Sequence, residues 1–285
     1  MRTWLLLTLI APLLAGCDFF TRNDGRLDLG ITDAPVDEAD AIVVSFTGVE
    51  LRHEEGDTEV FPFDPPRTIN LAALTGGDSE LLLSDESIPS GRYERIRLKV
   101  LSSSTGLESY IDLVDGRRPL LVPADAVSGL DINQLFEVAD GERSRYTIDV
   151  DLRRSVRRPE DGSQTYLLRP SLRLVEDDAA GRIAGVVSSA RIVSGCVPAV
   201  YVFAGRDVTP DDVDGVGAEP LTSARVRLST TDGSYRYQAA FLSAGGYTVA
   251  FTCDAGDDDP ATSQTLDFVS KNVTVSADRE ATVSF

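Results

Sequence analysis

Hydrophobic and polar residues alternate with period two along most of the chain. "RLDLGITD" puts Leu27, Leu29 and Ile31 on one face. "YERIRLKV" sends Ile96, Leu98 and Val100 inward and Arg95, Arg97 and Lys99 outward. "YTIDVDLR" sets Tyr146, Ile148, Val150 and Leu152 against Thr147, Asp149, Asp151 and Arg153. Such alternation is the signal of half-buried strands. One polar face per strand predicts antiparallel sheets with one side in water. No run predicts a helix of any length. "INLAALTGGDSELLL" (Ile69 to Leu83) has room for a helical turn on each side of Gly76-Gly77, which break a continuous helix. Residues 25–178 therefore read as a β-sandwich with one or two short helical turns. The small, acidic stretch "VEDDAAGR" (Val175 to Arg182) marks a break. After it come "GRIAGVV", "AVYVFAG", "ARVRLST", "YRYQAAF", "GYTVAFTC", "KNVTVSA" and "ATVSF", enough for a second, smaller sandwich over residues 181–285. The last run ends on Phe285, which predicts a C-terminus tied into a sheet. The expected fold class is all-β: two antiparallel β-sandwiches in tandem.

The N-terminus is a separate element. Met1-Arg2 precedes an apolar run from Trp4 to Leu14, short of the roughly 20 residues that span a bilayer. A positive start, a short apolar core and then small residues describe an export signal. At its end stands "LAGC", Leu14 to Cys17. This resembles the lipobox of bacterial lipoproteins. The resemblance implies a signal peptide over residues 1–16, cleavage before Cys17, and a thioether-linked diacylglycerol on its sulfur, usually with a third acyl chain on the new amine. Two or more chains anchor a protein essentially permanently, whereas one anchors marginally. An ordinary signal peptide beside a chance Cys is the alternative. Residues 17–24 would be a lipidated tether. Asp18 after the Cys hints at retention in the inner membrane, though that rule varies between bacteria and the choice of membrane stays open.

Charge then narrows the partners. The formal net charge is −19, and cleavage would remove only one cation, Arg2. Such a chain is repelled by nucleic acid and by anionic lipid, so neither is an expected partner. From Gly181 onward 13 acids face 8 bases, so most of the excess acid lies in the first sandwich. With Cys17 lipidated, Cys196 and Cys253 remain as a pair in an oxidising compartment. Export favours a disulfide over two buried thiols.

Two family resemblances rest on particular segments. "LGITDAP", "IVVSFTGVEL", "INLAAL", "IPSGRYERIRLKV", "DVDLRRSV" and "YLLRPSLRLV" occur in that order over residues 25–176. This series resembles a bacterial family known as domain of unknown function 4382, which brings no activity with it. "GRIAGVV", "ARVRL" and "FLSAGGYTVAF" in residues 181–285 resemble the regulatory-like domains appended to carboxypeptidases and related surface-protein repeats. That resemblance implies a transthyretin-like sandwich used as a spacer or carbohydrate-binding-like module. The "DVTPDDVDGVGAEP" insert departs from its minimal pattern.

Candidate chemistry is sparse. His53 is the only histidine, and its place after "VELR" reads as a solvated side chain at a strand end. Catalytic triads, Cys-His pairs and zinc sites therefore lack partners. Calcium wants six to eight oxygens, and "PDDVDG" (Pro210 to Gly215) and "CDAGDDDP" (Cys253 to Pro260) are the places to look. Asp212, Asp214 and Gly215 form a D-x-D-G fragment, but Pro210 stands where the EF-hand loop needs an oxygen ligand. An acidic loop at the sandwich edge is the simpler reading, and no cofactor is required. "DLRRSVRR" (Asp151 to Arg158) could grip a carboxylate or phosphate group; pairing with local Asp and Glu on a solvated surface is the favoured reading. Exposed aromatics for a glycan would have to come from Tyr201, Tyr235 and Tyr237, which equally suit a core. In "ITDAPVDEAD", Asp33 can cap the Val36 amide, with Asp37 and Glu38 in the first residues of a short turn. The expected function is that of a lipid-anchored, non-catalytic envelope protein presenting a surface to a glycan or an envelope protein. The alternative is a carboxylate-based hydrolase or an accessory subunit of an envelope enzyme.

Overall fold

The alternating runs become strands, which among the described residues assemble into four sheets. A computed structural model describes residues 23–34, 39–103, 106–122, 129–158, 162–169 and 171–285. The signal run, Cys17 and Asp18, and Pro35, Val36, Asp37 and Glu38 of the acidic stretch, lie outside the described residues. Among the described residues no helix is long and apolar enough to cross a membrane.

The first part of the chain holds β1 (Asp24–Ala34), β2 (Ala41–His53), β3 (Thr58–Asn70), β4 (Glu80–Pro89), β5 (Gly91–Leu101), β6 (Tyr110–Leu113) and β7 (Gly116–Leu121). It continues through β8 (Leu130–Ile132), β9 (Phe136–Val138), β10 (Arg143–Asp151), a one-turn helix α1 (Leu152–Ser155), β11 (Val156–Arg157), β12 (Tyr166–Leu168) and β13 (Leu172–Glu176). One sheet runs β13-β10-β1-β4, and the other runs β11-β12-β7-β6-β2-β5-β8 with β3 on β2 and β9 on β5. Leu27, Leu29, Ile31, Ile148 and Val150 of the first sheet share a core with Ile42, Val44, Phe46, Ile96 and Leu98 of the second. Each such side chain contributes roughly 1.5–3 kcal/mol on burial. Most pairings are antiparallel, but β1 and β10 run in parallel, with Ile31 beside Ile148 and Asp33 beside Val150. Among the described residues β3 pairs only with β2, and Pro62, Pro65 and Pro66 deprive it of N–H donors. That guards it against pairing with another chain.

Two expectations change here. Helical structure in residues 69–83 forms on one side of the glycines only, as a 3-10 turn at Leu71–Ala73. Gly76 and Gly77 take φ of 70° and 99°, and β4 follows. The outer face of β10 is not wet: Thr147, Asp149 and Asp151 are 1, 5 and 7 % exposed. Neighbouring chain closes over that side, and Arg173 of β13 donates to the Phe241 carbonyl across it at 2.6 Å.

The second part holds β14 (Ala180–Val187), β15 (Ala199–Ala204), β16 (Thr222–Arg225), β17 (Arg227–Leu228), β18 (Tyr235–Ser243), β19 (Gly245–Thr252), β20 (Val269–Val275) and β21 (Glu280–Thr282). Its sheets run β17-β18-β14-β21 and β16-β15-β19-β20. All seven anticipated runs are strands; "ARVRLST" breaks at Val226 and sends its halves to different sheets. Past β21, Val283 and Phe285 still donate to Ala184 and Val186 at 2.9 Å each, so the chain is tied down to its last residue. Only glycine fits at Gly185, where a Cβ would stand 1.6 Å from the Val283 carbonyl. β15 is buried on both faces: Val200 and Val202 pack between the sheets, while Tyr201 and Phe203 pack with Val213, Ala250 and Ala255 on the other side. Tyr201 and Tyr237 are core residues, and Tyr235 packs half-buried against the core.

Cys196 and Cys253 form a disulfide with a Cα–Cα distance of 4.6 Å, closing 57 residues. In the chain-entropy model a loop of that size contributes about 4 kcal/mol. Reduction, or joint replacement of both cysteines by Ala, should lower the urea-unfolding free energy by about that amount. A loss below roughly 1 kcal/mol would show that the closed loop is already ordered without the bond.

Candidate functional site

Four of the motif segments meet at the ends of β1 and β10. The parallel register sets Thr32 of "ITDAP" beside Asp149, Asp33 beside Val150 and Ala34 beside Asp151. The Thr32 hydroxyl donates to the Asp78 carbonyl at 2.6 Å, and the Asp33 amide donates to Leu74 at 3.2 Å. These bonds fasten β1 to the turn that follows "INLAAL". Asp151 ends β10 because its carboxylate accepts the Arg154 amide at 3.1 Å and so caps α1. Ser155 then accepts the Ser171 amide at 2.9 Å through its hydroxyl, and the Arg169 amide at 2.7 Å through its carbonyl. "DVDLRRS" is thereby stitched to "LLRPSLRL".

The result is a buried group of three carboxylates. Asp149 is neutralised by Arg173, whose Nε donates to it at 2.8 Å. Asp33 is 7 % exposed, and among the described residues neither of its carboxylate oxygens makes a well-formed hydrogen bond. Its pKa is pushed well above the ordinary range, by burial first and then by the charges of Asp149 and Asp151. The Leu152 backbone and the Arg225 guanidinium oppose that shift. Burial likewise raises Asp151 from 3.8 to about 6, against the Arg154 amide, which favours the charged form. Capping of Val36 by Asp33 falls on a residue outside the described ones. β1 itself continues three residues beyond Ile31, through Ala34.

The arginines of "DLRRSVRR" point elsewhere. The sequence places them on a solvated surface beside local acids; in the structure Arg153 is 5 % exposed and enters the second sandwich. Its Nη1 donates to the Ala255 carbonyl at 2.7 Å and lies 3.9 Å from Asp258. The guanidinium stands 5.6 Å over the Tyr201 ring. Asp258 is held in turn by the Tyr201 hydroxyl at 2.5 Å and the Val213 amide at 3.0 Å. Arg154 lies 3.6 Å from Glu219. Burial lowers the Arg157 pKa, and the charge of Asp259 opposes it. "PDDVDG" and "CDAGDDDP" thus line the receptor for the arginines of the first sandwich. Asp212 accepts the Gln264 amide and Asp214 accepts the Val216 amide at 2.7 Å. Among the described residues no three His, Cys, Asp or Glu side chains are grouped to hold a metal ion.

His53 differs from its expected place as well. It is 6 % exposed, packed edge-on against Tyr93 with ring centroids 5.0 Å apart. Gly91, at φ 128°, leaves the room it occupies: a Cβ there would stand 2.7 Å from Nε2. Its Nδ1 accepts the Glu55 amide at 3.2 Å, which folds the β2–β3 turn back over the ring.

The segments brought together here are those of a known sequence family, described as domain of unknown function (DUF4382), whose pattern matches residues 24–170, just over half of the chain. The chain belongs to this family. No curated protein matches the sequence. Among solved structures, the Bacillus anthracis TIE protein is similar at 10 % identity and a TM-score of 0.22. That match covers 91 % of this chain and 33 % of the TIE chain, so this protein spans a third of its length. The minor pilin GBS52 of Streptococcus agalactiae matches at 10 % identity over 90 % of this chain and 94 % of its own, with a TM-score of 0.20. The fimbrial anchor protein Mfa2 of Porphyromonas gingivalis matches at 12 % identity over 82 % and 80 %, with a TM-score of 0.19. Superpositions this loose carry no functional argument.

Raised carboxylates make a signed statement about stability. Between about pH 4 and 6 the folded chain keeps a proton on Asp151 that the unfolded chain has released. Stability contributed by this group therefore falls as pH rises through that window. Asp151→Asn retains the cap acceptor and removes the titration. Its stability relative to the parent should rise from about pH 4 to about pH 7 in urea unfolding. Asp33→Asn should stabilise by roughly 1–3 kcal/mol at neutral pH and by little near pH 3.5. A difference independent of pH would contradict both assignments.

Proposed function

We propose that this protein is a lipid-anchored, non-catalytic component of the bacterial cell envelope. Its two sandwiches present a binding or scaffolding surface to a glycan or to another envelope protein. The observation that carries this reading is the fate of the family's charged motif residues. Asp33, Asp149, Asp151 and Arg153 are each at most 7 % exposed, and all lie where the sheets and the two sandwiches are joined. A catalytic carboxylate must reach substrate; Asp149 is turned to Arg173 and Asp151 to the Arg154 amide, and Asp33 is buried beside them. The motifs then describe how the fold is held together, and the outer surface is left to meet a partner. Residues 17–24 would serve as the tether and Cys17 as the point of lipid attachment.

The raised pKa values of Asp33 and Asp151 favour a hydrolase, since a general acid needs such a shift. Burial in the strand ends accounts for both shifts without a substrate. Membrane fractionation and a substrate panel test the two readings together. Cys17→Ser should move the protein from the membrane pellet to the soluble fraction, and the parent should turn over no glycoside or ester. Retention of the variant in the pellet would remove the lipid anchor. Turnover abolished by Asp33→Asn or Asp151→Asn would make the protein an enzyme.

A further inference from the structure

The outer face of the sheet β17-β18-β14-β21 carries a feature that the contacts of Arg153 and Arg154 with the second sandwich leave unused. A cleft of about 430 Å³ opens there, within the range of small-ligand sites. Small side chains of β14, β21 and the segment that follows β21 form its floor, among them Ala184, Thr282 and Ser284. Arg225, Arg227 and Arg236 line it, and Thr75 and Gly76 of the first sandwich close one end. Gln238 reaches that end and donates to the Gly76 carbonyl.

Two observations set these arginines apart from ordinary surface cations. Arg227 and Arg236 stand directly opposite each other on antiparallel strands. Like charges in that position destabilise a sheet. The chain has 46 acids against 27 Lys and Arg, so counter-ions are plentiful. Arg236 takes Asp232 at 2.5 Å, but Arg227 is exposed and makes no ion pair among the described residues. An anion between the two guanidinium groups would relieve the repulsion and receive the forked N–H donors of Arg227, which suit a planar carboxylate, with Arg236, whose Nε and Nη2 serve Ser234 and Asp232, adding an N–H from Nη1. Around them the cleft offers hydroxyl groups on Thr282 and Ser284, the Gln238 amide and the Glu280 carboxylate. Glu280 is an acceptor only, paired with Arg182 at 3.0 Å. A ligand that carries only acceptors has nothing to offset the repulsion of Glu280, whereas one that carries hydroxyl donors beside its carboxylates can hydrogen-bond to it.

We infer that this cleft binds an acidic saccharide, with a uronate carboxylate held between Arg227 and Arg236 and sugar hydroxyls on Thr282, Ser284 and Glu280. This deepens the binding-surface reading above and rests on it. Isothermal titration of the full chain in mild non-ionic detergent tests it, with tetragalacturonate, neutral galactotetraose and tetraglutamate as probes. Tetragalacturonate should bind, more weakly as salt is added, and the other two should bind at least about tenfold more weakly. Arg227→Gln with Arg236→Gln should weaken tetragalacturonate binding by about tenfold or more. The same double variant should melt at an essentially unchanged temperature, because relief of the like-charge pair offsets loss of the exposed Arg236–Asp232 ion pair, which contributes little. Failure of the parent to bind tetragalacturonate, or equal binding of the neutral sugar, would overturn the inference. Tighter binding of tetraglutamate would overturn it in favour of an acidic protein. Binding lost together with a lowered melting temperature would assign the arginines to the fold. Tetragalacturonate binding that survives the double substitution would remove the cleft and leave the wider binding-surface reading standing.

Discussion

The placement of one guanidinium constrains much of this molecule. Arg153 leaves the end of β10 through α1 and is buried in the other sandwich. A buried cation is expensive unless it is paired and hydrogen-bonded. Here the Ala255 carbonyl, Asp258 and the Tyr201 ring face supply those partners. Each is held by something else: Asp258 by Tyr201 and Val213, and Ala255 by a backbone bond to Val197, one residue from the disulfide at Cys196. Net stabilisation from such a pair is often small. Its effect is on geometry, because removing one partner leaves an uncompensated charge and costs about 3–5 kcal/mol.

That arrangement explains how the acidic loops are used. Oxygen-rich loops with Asp212, Asp214, Asp258 and Asp259 read as possible cation sites, and two of these carboxylates, Asp258 and Asp259, lie by Arg153 and Arg157 of the same polypeptide. Asp212 and Asp214 turn to backbone amides, Asp258 to Arg153, and Glu219 to Arg154. The carboxylates of the first sandwich follow the same rule. Asp149 takes Arg173, which also reaches across to Phe241. Arg225 on β16 opposes the rise in the Asp33 pKa from the other sandwich. Against this background of acids met by internal cations, the opposed pair Arg227 and Arg236 stands out.

The strands were legible because period-two alternation is a local property of the chain. Leu27, Leu29, Ile31, Ile148 and Val150 fell on the core face as their spacing required. Cys196 and Cys253 could be paired from the expectation of export, which leaves them as the two cysteines outside the N-terminal run, and they form a disulfide. What alternation could not report is that a polar face can be covered by a distant part of the chain. Asp149 and Asp151 look like solvent-facing residues until Arg173 and α1 are seen to close over them. His53 looked solvated because Gly91, the residue that makes room for it, lies nearly forty positions away. A signal for the carboxylate group did exist. Asp33, Asp149 and Asp151 stand in strand runs whose other residues are hydrophobic, and charges in such runs are seldom decorative.

The central claim is that Arg153 makes the two sandwiches unfold as one. Differential scanning calorimetry of the parent and of Arg153→Met tests it most directly. Met keeps most of the side-chain volume and removes the charge. The parent should melt in a single transition and the variant in two, with Asp258 left buried and unpaired in the second sandwich. A parent that already melts in two steps, or a variant that melts in one unshifted transition, would contradict it.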